Sequence, residues 1–116
     1  MIENSTQPEA YDKIALELRR GVLILAALSQ LKENKYGYAL ISQLAENGLE
    51  IDQGTLYPLL RRLESQGLLD SNWIVEDSRP RRYYVLNATG KHVLDALVQE
   101  WRTLTNVMET LLKETE

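Results

Sequence analysis

The side chains best suited to chemistry in this chain are guanidinium and phenol groups, and they cluster. The run Gly54-Thr55-Leu56-Tyr57-Pro58-Leu59-Leu60-Arg61-Arg62-Leu63-Glu64 is closed by Gln66-Gly67-Leu68-Leu69 and followed by Arg79-Pro80-Arg81-Arg82. A short amphipathic helix with paired arginines, entered from a polar cap and left through a glycine, has the right dimensions to lie in a DNA major groove. Gln53 offers an amide able to make paired hydrogen bonds with adenine, although at a helix start it can equally stand solvated. Arg61 and Arg62 point in different directions on a helix. One therefore meets phosphate or guanine, while the other is solvated or paired with Glu64. Arg79, Arg81 and Arg82 alternate along a hairpin and suit phosphate or minor-groove contact, the plain alternative being a solvated turn. Tyr38, at the start of another helix, either donates to a phosphate or packs in the core.

Other chemistries find little to work with. Nothing assembles a nucleophile with a base, a phosphate-cradling glycine loop or a metal set, so neither an enzyme, a cofactor nor a metal is expected. His92 is the only histidine and there is no cysteine, which leaves His92 as a surface or interface residue and excludes disulfides and thiolate zinc sites. The absence of cysteine fits a reducing cytoplasm, though it would also suit a secreted protein. Met1-Ile2-Glu3-Asn4-Ser5 lacks the basic segment and apolar core of a secretory signal, and no apolar run approaches the roughly 20 residues of a membrane helix. A cytoplasmic protein is expected.

At 116 residues the chain supports one modest domain. Its formal charge of −4 and pI near 5.1 are awkward for a partner of DNA. The distribution answers this. Between Gln53 and Leu63 there are two arginines and no acid, and between Ser78 and Leu94 come Arg79, Arg81, Arg82 and Lys91, again without an acid. Acids collect elsewhere, as at Glu100, Glu109, Glu114 and Glu116, so one face can still meet phosphates.

The elements that must position these groups follow from hydrophobic spacing. A first helix begins near Pro8 and Glu9 and carries Ile14, Leu18, Val22, Leu25 and Leu28, its second half covered on more than one side. After the polar break Lys32-Glu33-Asn34-Lys35, a second runs from Tyr38 to Glu46 and stops at Asn47-Gly48. Asp52 is suited to cap a third, whose stripe is Leu56, Leu59, Leu60 and Leu63 and whose end is Gly67; Pro58 should make its first part irregular. Leu69, Ser71, Trp73 and Val75, then positions 82–86, read as two strands around the turn Asp77-Ser78-Arg79-Pro80-Arg81, with Trp73 a packing residue. Asn87 caps a last long helix bearing Leu94, Leu97, Trp101, Leu104, Met108 and Leu111. No partner helix follows, so this seam packs against a second copy, with Leu97, Trp101, Leu104, Met108 and Leu111 as dimerisation residues.

Three helices and a hairpin make a winged helix-turn-helix. The expected fold is mainly α, an α+β winged helix with a two-stranded wing and a long C-terminal helix. Residues 1–86 form the DNA-binding part, and residues 87–116 form the dimerisation helix packed with helix one.

The same residues resemble the PadR-like transcriptional regulators, in particular the short subfamily with one C-terminal dimerising helix. The matching strings are Tyr36-Gly37-Tyr38, Gly54-Thr55-Leu56-Tyr57-Pro58-Leu59-Leu60 with Arg62-Leu63-Glu64, Gly67-Leu68-Leu69, and Arg81-Arg82-Tyr83-Tyr84-Val85-Leu86 leading to Thr89-Gly90. They keep the family order across roughly residues 14 to 112. Gln53 departs from the pattern, which often has proline there. The resemblance implies that Thr55 and Tyr57 face the groove, where the bland readings are support of the helix start and packing on neighbours. It implies a homodimeric repressor of bacterial type acting on an imperfect palindrome of double-stranded DNA. It also implies a small planar aromatic effector held between paired Trp101 indoles, with Leu94, Val98 and Val22 lining the wall; an ordinary tryptophan in a solid seam is the alternative. A winged-helix module that binds protein instead of DNA remains a competing function, because fold alone does not fix function.

Overall fold

The computed structural model describes residues 8–113. The ends of the two expected regions, and with them Met1-Ile2-Glu3-Asn4-Ser5, Glu114 and Glu116, lie outside the described residues. The elements in order are α1 (Glu9–Ser29), β1 (Lys35–Tyr36), α2 (Gly37–Glu46), α3 (Gln53–Ser65), β2 (Leu69–Glu76), β3 (Arg79–Leu86) and α4 (Ala88–Lys113).

Local chemistry accounts for most boundaries. Pro8 precedes α1 in an extended conformation, and Glu9 and Asp12 in the first turn complement the positive end of the helix dipole. The chain leaves α2 and α3 through Gly48 at φ +93° and Gly67 at φ +83°, a left-handed conformation that other residues adopt only at a cost. Asn87 caps α4, its Oδ1 accepting from the Gly90 amide at 2.8 Å.

Two features differ from the expected pattern. The wing hairpin is joined by a third strand, giving an antiparallel sheet in the order β1-β3-β2. β1 pairs Lys35 with Tyr84 and Tyr36 with Tyr83. It begins at the last residue of the supposed polar break, and two residues are too few to show alternation. The turn is also shorter than five residues. Glu76 pairs directly with Arg79, leaving Asp77 and Ser78 as the connection, both at positive φ (51° and 64°). That twist matches the flanking strands, so Arg79, Pro80 and Arg81 belong to β3.

The core lies where α1, α2, α3, the sheet and the first turns of α4 meet. Leu28, Leu31, Leu40, Leu56, Leu60 and Leu69 are its largest fully buried side chains, joined by Leu44, Leu63, Tyr84, Leu86 and Leu94. The sheet is tied in by backbone as well: the Leu86 amide donates to the Leu31 carbonyl at 2.8 Å. Among the described residues no helix is long and apolar enough to cross a membrane.

Candidate nucleic-acid interface

Helix α3 is held so that one side is buried and the other is open. Asp52, in extended conformation, accepts from the Thr55 amide at 2.8 Å, and this bond holds the Asp52 carboxyl below its ordinary pKa. Leu56, Leu60 and Leu63 face the core. At 100° per residue the opposite side carries Gly54, Pro58 and Ser65 as a low ridge, with Thr55 and Arg62 on one flank and Arg61 on the other, all exposed. Small side chains along a ridge allow a groove to approach the backbone closely. The helix runs through Pro58 without a break; proline has no N–H, so the Gly54 carbonyl on the exposed ridge lacks its helical donor. Gln53, Arg61 and Arg62 make no side-chain hydrogen bond or ion pair among the described residues. The suggested pairing of Arg61 or Arg62 with Glu64 is not formed, because Glu64 is engaged elsewhere.

Tyr57 has a structural task in addition. Its half-buried ring lies so close to Gly37 that a Cβ there would fall 2.2 Å from Cε1. The ring thus locks α3 against the first turn of α2. Tyr38, one residue further, is 58% exposed and not in the core.

The wing has two dissimilar faces. On the face toward α3, Arg82 donates to Glu64 Oε1 at 2.9 Å and to Ser71 Oγ at 3.1 Å, while Ser71 donates to Glu64 Oε2 at 2.6 Å. Its guanidinium also lies near the rings of Tyr84 and Trp73, at 5.6 and 5.9 Å. Arg82 is therefore a strut between wing and α3, a task that its expected place at the DNA backbone did not include. Trp73 is corrected too: at 64% exposed it is not a core packing residue. On the outer face, Arg81 lies 3.5 Å from Glu76 Oε1 and 4.5 Å from the centre of the Tyr36 ring. Tyr83 donates to Glu76 at 2.5 Å, which raises the Tyr83 pKa. Arg79 is exposed and makes no side-chain hydrogen bond or ion pair among the described residues. The contacts of the wing arginines with Glu64, Ser71, Glu76 and Tyr36, and of Tyr83 with Glu76, were not foreseen; the alternation of β3 would have separated Arg81 from Arg82 once the turn was placed.

A family model described as the Transcriptional regulator PadR-like family matches residues 24–96, from the middle of α1 into α4. The chain belongs to that family. PadR-like proteins are transcriptional regulators and not enzymes. The fold agrees: a padr family transcriptional regulator from Eggerthella lenta superposes with a TM-score of 0.81 at 49% identity, covering 90% of this chain and 97% of that one. A PadR family transcription regulator from Clostridium difficile gives 0.72 at 34% identity, covering 79% and 99%. The Transcriptional regulator Rv3488 of Mycobacterium tuberculosis is 35% identical over 97 residues, 83% of this chain and 88% of its own length.

In this PadR-like chain the apolar seam starts within the core and ends outside it. Leu94 is 3% exposed and part of the protomer's own core. Val22, Leu97 and Val98 are half-buried, and Trp101, Leu104, Met108 and Leu111 are exposed. His92 stands exposed on α4, and among the described residues no group of three or more histidine, cysteine, aspartate or glutamate side chains could hold a metal ion.

Proposed function

We propose that this regulator is a homodimeric, sequence-specific DNA-binding repressor acting in the cytoplasm. One α3 from each copy enters successive major grooves of an imperfect palindrome, with half-site centres roughly 10 base pairs apart. The observation that carries this reading is the open side of α3. Its low ridge of Gly54, Pro58 and Ser65 is flanked by Thr55, Arg61 and Arg62, and neither arginine has a side-chain partner among the described residues. Gln53 at the helix start and Tyr38 at the start of α2 extend that surface, and Arg79 and Arg81 reach along the backbone.

Dimerisation follows from the uncovered seam of Leu97, Trp101, Leu104, Met108 and Leu111, which another copy of α4 would close. A small planar aromatic effector between the two Trp101 rings, walled by Val98 and Val22, would release the operator by changing the spacing of the reading heads. Such a ligand must bind the two dimer geometries with different affinity.

The test is titration of the purified protein onto a labelled duplex from upstream of its own gene, followed by anisotropy across salt concentrations. Affinity should fall steeply and linearly on logarithmic axes, and Arg81→Ala should flatten the slope by about one. No binding at low salt would favour the protein-interaction module instead. For the effector, fluorescence of a Trp73→Phe variant should be quenched by planar cationic dyes; unquenched emission removes it.

A further inference from the structure

Two donors of different kinds converge on one oxygen at the outer face of the wing. Arg81 Nη1 stands 3.5 Å from Glu76 Oε1, and the Tyr83 hydroxyl donates to that same oxygen at 2.5 Å. The ring of Tyr36 lies under the Arg81 guanidinium at 4.5 Å and meets Tyr83 edge-on at 5.4 Å. Each strand has a part. β3 supplies both donors, β1 supplies the ring that holds the guanidinium in place, and β2 supplies the oxygen that fills the space between them.

The position of this seat matters as much as its make-up. Tyr36 is the N-cap of α2 and provides no side-chain cap. The seat therefore lies beside the amino end of a 10-residue helix, where uncapped amides and the helix dipole favour anions. Arg79 follows the same strand face at the spacing of alternate residues and has no side-chain partner among the described residues.

The present occupant is open to water. The Arg81 and Glu76 side chains keep 31% and 46% of their accessibility, and ion pairs so open to water contribute little net stabilisation. A duplex phosphate offers an oxygen of the same charge and brings counterion release, which an exchange inside the chain cannot.

We propose that Arg81 and Tyr83 form a seat for a phosphodiester oxygen of duplex DNA, and that Glu76 is its exchangeable internal occupant. The inference rests on the DNA-binding reading and adds a brake to it. In the free protein Glu76 neutralises Arg81, and it must be displaced whenever a duplex docks. It lowers affinity for all sequences by one common factor and leaves the discrimination by α3 unchanged.

The decisive experiment compares the full-length protein with Glu76→Gln on two labelled duplexes, one from upstream of its own gene and one of scrambled sequence. The variant should bind both more tightly by the same factor, roughly three- to ten-fold, because the seat changes from neutral to singly cationic. Its salt slope should steepen by up to about one. In an Arg81→Ala background the gain should differ from that in the wild-type background, as it must if the two residues act through one seat. Glu17→Gln, the same charge change on α1, separates this local effect from net charge and should give a much smaller gain. If the wild-type protein binds the duplex and Glu76→Gln alters neither affinity nor slope, the seat is wrong while the DNA-binding reading survives. If neither protein binds any duplex at low salt, the DNA-binding reading itself falls, and the seat with it.

Discussion

Leu56, Leu60 and Leu63 on α3 and Trp101, Leu104, Met108 and Leu111 on α4 follow one rule, apolar residues three and four apart. Their surroundings differ completely. The α3 side chains are 0–2% exposed, whereas those on α4 range from 43 to 53%. The first stripe is closed by α2 and β2; the second runs past Val98 with nothing among the described residues covering it. Residues toward the start of α1 behave like the second, with Ile14 at 64% and Leu18 at 76%. Spacing therefore reports that a helix has an apolar side, and whether that side is covered depends on what else the chain can bring there. In a chain of this size the core is used up by Leu94.

The largest effect should come from breaking the closed stripe. Leu60→Ala should lower the unfolding free energy by about 2–5 kcal/mol, through lost burial and the cavity left behind. Leu104→Glu should cost the isolated protomer little and instead abolish self-association, removing the dependence of thermal unfolding on protein concentration. Sedimentation alongside denaturant unfolding reads both quantities. A Leu104→Glu protein that still forms dimers would mean that the α4 seam is not what a second copy covers.

The contrast between the two wing faces allows a finer test. Glu64→Gln leaves Arg82 half-buried beside a neutral amide, and should destabilise the fold by about 1–2 kcal/mol while loosening the angle between wing and α3. Glu76→Gln, on the open face, should stay within about 0.5 kcal/mol of wild type. Thermal unfolding at fixed concentration distinguishes them. Equal effects from the two substitutions would erase the distinction between strut and seat.

The same two faces show how far the chain could be read before folding. The four helices, the caps at Asp52 and Asn87, and the exits near Gly48 and Gly67 are local, set by side chains within a few positions of the backbone they serve. The open side of α3 was legible for the same reason. Arg82 was not, because its partner Glu64 is 18 positions away and only the wing packed on α3 brings them together. β1 was hidden by its length of two residues, and its ring at Tyr36 acquires meaning only beside Arg81. Trp73 misled through a sound rule applied too far along the strand. Burial on that face of β2 fades from Leu69 at 2% to Trp73 at 64% and Val75 at 70%, since the hairpin extends beyond the body that covers its base. Leu94 shows the opposite case: it fits the seam pattern and lies early enough on α4 to be taken into the core.

The smallest predicted effect concerns the entry to α3 and sharpens the comparison from the other end, because a local feature should respond locally. The bond from the Thr55 amide holds the folded Asp52 carboxyl below its ordinary pKa. A carboxylate depressed in the folded state adds stability that is fully present above its unfolded pKa and is lost as pH falls through the folded value. A series of thermal midpoints from neutral to acid pH should therefore show a decline that contains the Asp52 contribution. Asp52→Asn keeps a capping acceptor without a titrating proton, so its decline should be shallower while its neutral-pH midpoint stays close to wild type. Asp52→Ala should lose the cap at every pH, with the larger loss at neutral pH. If the asparagine variant followed the wild-type acid limb unchanged, the charge on Asp52 would be irrelevant to α3, and the start of the helix would be held by its packing on α2 through Tyr57 and Gly37.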